Sequence, residues 1–360
     1  MIFVDIEERE SRHMKKQVYI QLPLQEPLIN CITQDAYLQS IVLCNGGAYP
    51  WLMSQFVRVW ACDPKIAAGG VFIYFVAPSY WFACPHLYTQ ELSKETVNVR
   101  YDSIVDFLTD SLSLNNYVIL PVNRRFIKAY QYEGEGTHDL LIHGYDSTKE
   151  LFYIADFFEG RFNMRTCSFQ EVEDAYFTDK HNPFSWHNTV RLAVQDEHRL
   201  HYDFHLAAFH DFDTRVIAEQ LSDYIMGDNS IYRYRICQKN NDSYGHTVGG
   251  VRVYDVLLSY AKERLDQEAS LDHRVFYNIW AHKHMMTLRA KFMKDNGIGH
   301  DVEAFLASFE EIEKKARLLL NRVLKDNIKR GSLLYPELET VVTELRAQET
   351  QVIRDFIEIL

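Results

Sequence analysis

Leu22 to Cys44 reads LPLQEPLINCITQDAYLQSIVLC. Pro23 and Pro27 punctuate an irregular approach, because proline fixes φ and removes a backbone donor. Asn30-Cys31 follows, and then Ile32, Ala36, Leu38, Ile41 and Val42 recur at helical spacing. A cysteine at the joint between a loop and a buried helix is a distinct chemical object. The thiolate is the nucleophile, and unpaired N–H groups with the dipole at a helix start favour the anion. Gln25 lies six residues upstream. If the loop folds back, its side-chain amide donates to an oxyanion beside the sulfur. The rest of the chain is read by whether it supplies a base and an orienting partner for Cys31.

The length of 360 residues suits one large or two modest domains, and 47% hydrophobic with 24% charged residues is enough for a sizeable core. A net charge of −12 argues against nucleic acid as a partner, since phosphate binding needs a basic surface. The six cysteines, at 31, 44, 62, 84, 167 and 237, contain no CxxC pair, so neither a disulfide framework nor a zinc ribbon is expected. The start, MIFVDIEERESRHMKK, is charged and lacks the apolar core of a signal peptide, and no apolar run reaches membrane-spanning length. The expectation is a reduced, cytoplasmic protein without a membrane segment.

Along the chain, VYIQL reads as a strand, and Asn45-Gly46-Gly47 ends the Cys31 helix. Tyr49 to Trp60 is either a second helix or the start of a strand, and Val71 to Pro78 reads as a strand. A helix is expected from Tyr101 to Leu114, ended by Asn115-Asn116, and a buried strand from Tyr117 to Asn123. The stretch THDLLIHGYDSTKELFYIADFFEGRFNMRTCSFQEVEDAYF then reads as three strands and a helix. The strands are His138–Tyr145, Leu151–Asp156 and Phe162–Cys167, with turns at 146–149 and Glu159-Gly160. Ser168 and Glu171 form a capping box. From about Arg199 the chain turns helical, with helices around 213–226, 251–267, 272–295, 301–329 and 336–358. The domains expected are 1–198, an α+β catalytic domain, and 199–360, mostly helical.

Antiparallel pairing of the first two strands places His138, at the start of one, near Asp156, at the end of the next. Cys31, His138 and Asp156 then supply a thiolate source, an imidazole that takes and returns its proton, and an acceptor that holds the tautomer. Gln25 completes an oxyanion site. Cys44 is the rival nucleophile, but it precedes a helix end, where the dipole disfavours thiolate. His143 is the rival base, on the opposite strand face under alternation. Asp139 and Asp146 read as turn or surface residues.

Gln25-x5-Cys31, followed about a hundred residues on by HDLLIHGYD and FYIADF, resembles the papain-like cysteine peptidase superfamily. It is most similar to the branch that trims bacteriocin leader peptides and, within it, to the butirosin-biosynthesis-protein-H-like N-terminal family of antibiotic gene clusters. The resemblance covers residues 20–180. Asp156 is followed by Phe157-Phe158 where such families often show Asp-Pro. It implies a papain-like fold, in which the cysteine helix packs on an antiparallel sheet. It also implies transfer of an acyl group from a carrier-protein thioester through Cys31 to a small amine, giving an amide in natural-product biosynthesis. The phosphopantetheine would sit on the partner carrier protein, so no bound cofactor is expected. The aromatic residues at 49–60 and 72–82 are candidates to line an apolar site that favours amine over water.

Two other readings use the same residues: a cysteine peptidase or hydrolase, and a non-enzymatic binding protein with a degenerate triad. His282-Lys283-His284 and His201, His205 and His210 invite a metal reading, but no HExxH occurs and the expectation is no metal. Tyr244 to Gly250 matches no phosphate-binding glycine motif and reads as an interhelical turn. The charge run Glu310 to Arg317 reads as a solvated helix face, or as a surface for a partner or a second copy in a homodimer.

Overall fold

The structure is a computed structural model that describes residues 18–30, 32–65, 67, 72–75, 84–177, 186–195, 212–227, 247–329, 331 and 333–360. Its elements are, in order, β1 (Tyr19–Gln21), α1 (Thr33–Val42), α2 (Tyr49–Ser54), β2 (Val59–Cys62), β3 (Ile73–Phe75), β4 (Leu87–Ser93) and α3 (Lys94–Asn98). Then come α4 (Ile104–Ser113), β5 (Tyr117–Asn123), β6 (Thr137–Asp146), β7 (Leu151–Phe158), β8 (Arg161–Ser168), α5 (Phe169–Ala175) and β9 (Thr189–Gln195). The remainder is α6 (Thr214–Met226), β10 (Thr247–Gly249), α7 (Val253–Asp266), α8 (His273–Asp295), α9 (Val302–Ile328) and α10 (Tyr335–Ile357).

The chain divides into two compact units, residues 1–46 with 81–204 and residues 47–80 with 205–360. The single cut at 198/199 expected from composition is therefore corrected, because residues 47–80 make their contacts with the helical half. The class is α+β, with an antiparallel sheet and a helical C-terminal region.

In the first unit a sheet of seven strands runs β4-β9-β5-β6-β7-β8, with β1 added to β6. Long β6 is the spine. One edge pairs with β7, while the other pairs with β5 over Thr137–Ile142 and with β1 over Gly144–Asp146. At that hand-over a Cβ on Gly144 would stand 2.3 Å from Ile20 O and 2.8 Å from Gln21 Cα. Only glycine lets β1 approach so closely. The β7–β8 turn places Glu159 at φ 54 and Gly160 at φ 75, the left-handed pair that a two-residue hairpin requires.

The even-numbered face of β5, β6 and β7 (Val118, Leu120, Val122, Leu140, Ile142, Phe152, Ile154) packs with Phe107, Leu108 and Leu112 of α4 and Val172 and Ala175 of α5. The expected capping box opens α5, with Ser168 and Glu171 bonding reciprocally. Lys94 is buried at the start of α3 and donates to Pro121 O at 2.8 Å and Phe177 O at 2.7 Å, beyond the residues of β5 that β9 pairs. Burial pushes its ammonium down to about 7.

The second unit has a three-stranded antiparallel sheet, β10-β2-β3, and the long helices. Helix α8 holds Met53, Val57 and Ile73 through their backbone carbonyls. Asn278 donates to Ile73 O at 2.6 Å, His282 Nε2 to Val57 O at 2.7 Å and Arg289 Nε to Met53 O at 2.7 Å. Glu349 of α10 is buried and accepts from Tyr224, Tyr254 and Lys283. Burial alone would raise its carboxyl, but the Lys283 ammonium and neighbouring donors hold it at about 2. The aromatic residues of the 47–60 stretch belong to this unit, with Trp51 and Phe56 buried and Phe56 edge-on to Phe75 at 5.3 Å. Trp51 and Phe56 are part of this unit's core. Residues 76–83 lie outside the described residues. Among the described residues no helix is long and apolar enough to cross a membrane.

Candidate active site

The β6–β7 register pairs Leu141 with Ala155 and Ile142 with Ile154. Carried two residues further, it puts Leu140 opposite Asp156 and leaves His138 on the adjacent diagonal of the same face, within reach of a long side chain. His138 Nδ1 meets Asp156 Oδ2 at 2.7 Å. The two residues expected to pair across the hairpin are thus brought together. Asp156 is wholly buried, whereas the His138 side chain is 29% exposed. With Nδ1 turned to Asp156, Nε2 is the ring nitrogen left for a substrate or nucleophile. Burial lowers the His138 imidazole, but the Asp156 hydrogen bond and charge outweigh it and raise the value above 6.5.

Asp156 has a second donor that the sequence did not reveal. Tyr130, from the short turn Lys128–Tyr130 between β5 and β6, gives its hydroxyl to the same Oδ2. A tyrosine inside the polar loop 126–136 carries no signal, because its partner lies 26 residues on. Its ring packs on Phe158 at 5.0 Å, which fixes the hydroxyl over the carboxylate. Burial raises the Tyr130 phenol well above 10.0, so it donates rather than ionises.

Helix α1 is moored beside this pair. Tyr37 donates its hydroxyl to Asp139 O at 2.8 Å, and the Gln34 side chain hydrogen-bonds the Asp139 carboxylate. The first two turns of α1 therefore lie against the start of β6. The chain enters α1 at Ile32, whose side chain makes no cap hydrogen bond. Asp139 lies inside β6 rather than in a turn, with intermediate exposure, and burial raises its carboxyl. Asp146 is the turn residue expected, accepting from Thr148 and Lys149.

Cys31 lies outside the described residues. Gln25 is exposed, and its loop does fold back on α1. However, its N–H donates to Ser40 O at 3.0 Å, seven residues into the helix. At 1.5 Å per residue that is about 10 Å from the helix start, farther than a glutamine side chain reaches. The placement of Gln25 therefore does not put its amide beside the residue that precedes α1. Cys44 shares that far end, where its Sγ donates to Ser40 O at 3.4 Å.

The rivals are accounted for by packing. His143 is buried, its Nδ1 meets Leu22 O at 2.9 Å, and burial lowers its imidazole. Burial raises the thiols of Cys44, Cys62, Cys84 (to about 12) and Cys167, so none of these four is an activated nucleophile. Among the described residues no three His, Cys, Asp or Glu side chains are grouped to hold a metal ion. His282 is engaged by Val57 O and Lys283, and the expected group His201, His205 and His210 lies outside the described residues. The chain matches no family model and no curated protein.

Proposed function

We propose that the protein is a cysteine-dependent acyltransferase with a papain-like arrangement of helix and sheet. The observation that carries this reading is the His138–Asp156 pair, a partly exposed imidazole fixed by a buried carboxylate at 2.7 Å. A buried acceptor on one ring nitrogen, with the other free, is the geometry of an imidazole that takes and returns a proton. Cys31 is the nucleophile in this proposal, because it stands two residues before Thr33, the first residue of the helix moored to the His138 strand through Gln34 and Tyr37. The four described cysteines are all held as thiols by burial, which supports the same choice.

The thiolate of Cys31 attacks a carrier-bound acyl thioester, and the carrier's phosphopantetheine thiol leaves with a proton from His138. An amine then attacks the Cys31 thioester, and His138 accepts its proton as the amide forms. Asp156 keeps His138 in register, and Tyr130 keeps Asp156 oriented. The oxyanion falls to the N–H groups at the start of α1 rather than to Gln25. The partners of this reaction are an acyl or peptidyl carrier protein and a small amine.

The test is intact-protein mass spectrometry after mixing with acyl-carrier thioesters. The wild-type protein gains one acyl mass, and Cys31→Ala and His138→Gln do not. An adduct that persists on Cys31→Ala refutes the assignment. Product analysis with and without added amine separates transfer from hydrolysis, since a hydrolase yields only the free acid.

A further inference from the structure

Tyr37 stands one turn into α1, and its side chain is wholly buried. Its hydroxyl donates to Asp139 O at 2.8 Å. The same carbonyl lies 2.9 Å from His138 Nδ1, which in turn meets Asp156 Oδ2 at 2.7 Å. Asp139 O therefore faces two donors, one from α1 and one from the imidazole. Asp156 divides its oxygens unevenly. Oδ2 receives both His138 and Tyr130, whereas Oδ1 is buried and has no hydrogen-bond partner among the described residues. Buried polar groups are hydrogen-bonded as a rule, so this oxygen calls for a donor.

The Tyr37 hydroxyl stands beside this carboxylate. Burial, then the charge and hydrogen bonding of Asp156, hold its phenol well above 10.0, so it stays a donor. Tyr130 and Asp139 act in the same sense. The Tyr37 ring packs on Phe162 at 6.1 Å, on the strand that pairs with β7. The other groups that bear on His138 are Arg124 and Tyr130, from the short turns between β5 and β6, and Asp139 beside it on β6. Mooring of α1 alone accounts for the bond to Asp139 O. It does not account for a carbonyl shared with the imidazole, nor for an unpartnered carboxylate oxygen beside the phenol.

We propose that Tyr37 is a positioning residue of the His138–Asp156 pair, its hydroxyl held between Asp139 O and Asp156 Oδ1 so that helix α1 sets the basicity of the imidazole. A donor on Asp139 O weakens that carbonyl as an acceptor for the Nδ1–H of His138. A donor on Oδ1 steadies the carboxylate and lessens its pull on the same proton. Both effects act in one direction, holding His138 below the value that Asp156 alone would give it. The part this plays in turnover rests on the acyltransferase reading. A less basic imidazole gives its Nε2 proton more readily to the carrier's sulfur as that C–S bond breaks. The link between Tyr37 and His138 does not need that reading.

The variant is Tyr37→Phe, which removes the hydroxyl and keeps the ring on Phe162. The His138 midpoint, followed by ¹⁵N-edited NMR, is expected to rise by about half a unit to one unit. A midpoint that stays or falls in a variant with wild-type circular dichroism overturns the proposal, because a hydroxyl that only moors α1 leaves the imidazole alone. 3-Fluorotyrosine placed at position 37 keeps the mooring bond and makes the hydroxyl a stronger donor, so there the midpoint is expected to fall. That arm decides the matter if Tyr37→Phe does not fold, and an unchanged or raised midpoint in it also overturns the proposal. Mass spectrometry of acyl loading on Cys31 is run alongside. If the wild type takes no acyl group while the midpoints move as expected, the transferase reading falls and the link stands. If the wild type loads and the midpoints do not move, the link falls and the transferase reading stands.

Discussion

Replacing Asp156 by Asn keeps the shape of the side chain and removes its charge. Asp156 is wholly buried and receives His138 Nδ1 at 2.7 Å, so the interaction is a charge-assisted hydrogen bond shielded from water. Such a bond contributes roughly 1.5–3 kcal/mol. At about 1.4 kcal/mol per pH unit, its loss lowers the His138 midpoint by about one to two units. The sign of the stability change follows. In the wild type the imidazole is raised, so the contribution is complete below pH 6.5 and is lost as pH rises through the folded value. In Asp156→Asn burial is left as the main influence and lowers the imidazole, so the contribution is instead lost as pH falls. The assay is a ¹⁵N-edited NMR titration of His138, assigned with His138→Gln, together with urea midpoints from about pH 5 to about pH 8. A His138 midpoint that is unchanged or higher in Asp156→Asn, or a stability difference that stays flat across that range, refutes the reasoning.

Two further perturbations test the frame around the site. Gly144→Ala puts a methyl 2.3 Å from Ile20 O, a backbone atom, so β1 must shift. The expected loss is about 1–3 kcal/mol in urea unfolding, with faster amide exchange at Leu22, and an unchanged midpoint refutes the close-approach account. Glu349→Gln leaves Lys283 buried without its counterion and is expected to cost about 3–5 kcal/mol. Because the Glu349 carboxyl is depressed from 4.5 to about 2, its contribution is present above 4.5 and lost as pH falls toward 2. Circular dichroism during acid titration should show that limb in the wild type and not in Glu349→Gln.

Local signals made much of this structure legible. The β-branched run Tyr117–Asn123, the hairpin turns and the Ser168–Glu171 capping box each act within a few residues, and each element forms where its pattern lies. The five late helices fall within two residues of their expected ends, since a sustained 3.6-residue period leaves little choice. Strands β4 and β9 escaped notice. LYTQELS and TVRLAVQ mix polar and apolar residues without a long apolar run, and each is a strand because a neighbour lies beside it, β9 for β4 and both β4 and β5 for β9.

The His138–Asp156 pair was readable because it spans one hairpin. The contribution of Tyr130 and the placement of Gln25 at the far end of α1 depend on how loops return, which no local pattern encodes. The same holds for residues 47–80, whose aromatic content marks a core without saying which core.

That last grouping also governs how the protein is made. Trp51, Phe56 and the carbonyls of Met53 and Val57 leave the ribosome early, yet their partners Arg289 and His282 are more than two hundred residues behind. At roughly 5–20 residues per second the nascent segment waits about 10–50 s for them. Through that interval its apolar surface is uncovered, a target for chaperone capture and for proteases. A fragment ended at residue 198 would prolong the exposure indefinitely, and one begun at residue 199 would leave Asn278, His282 and Arg289 facing carbonyls that never arrive.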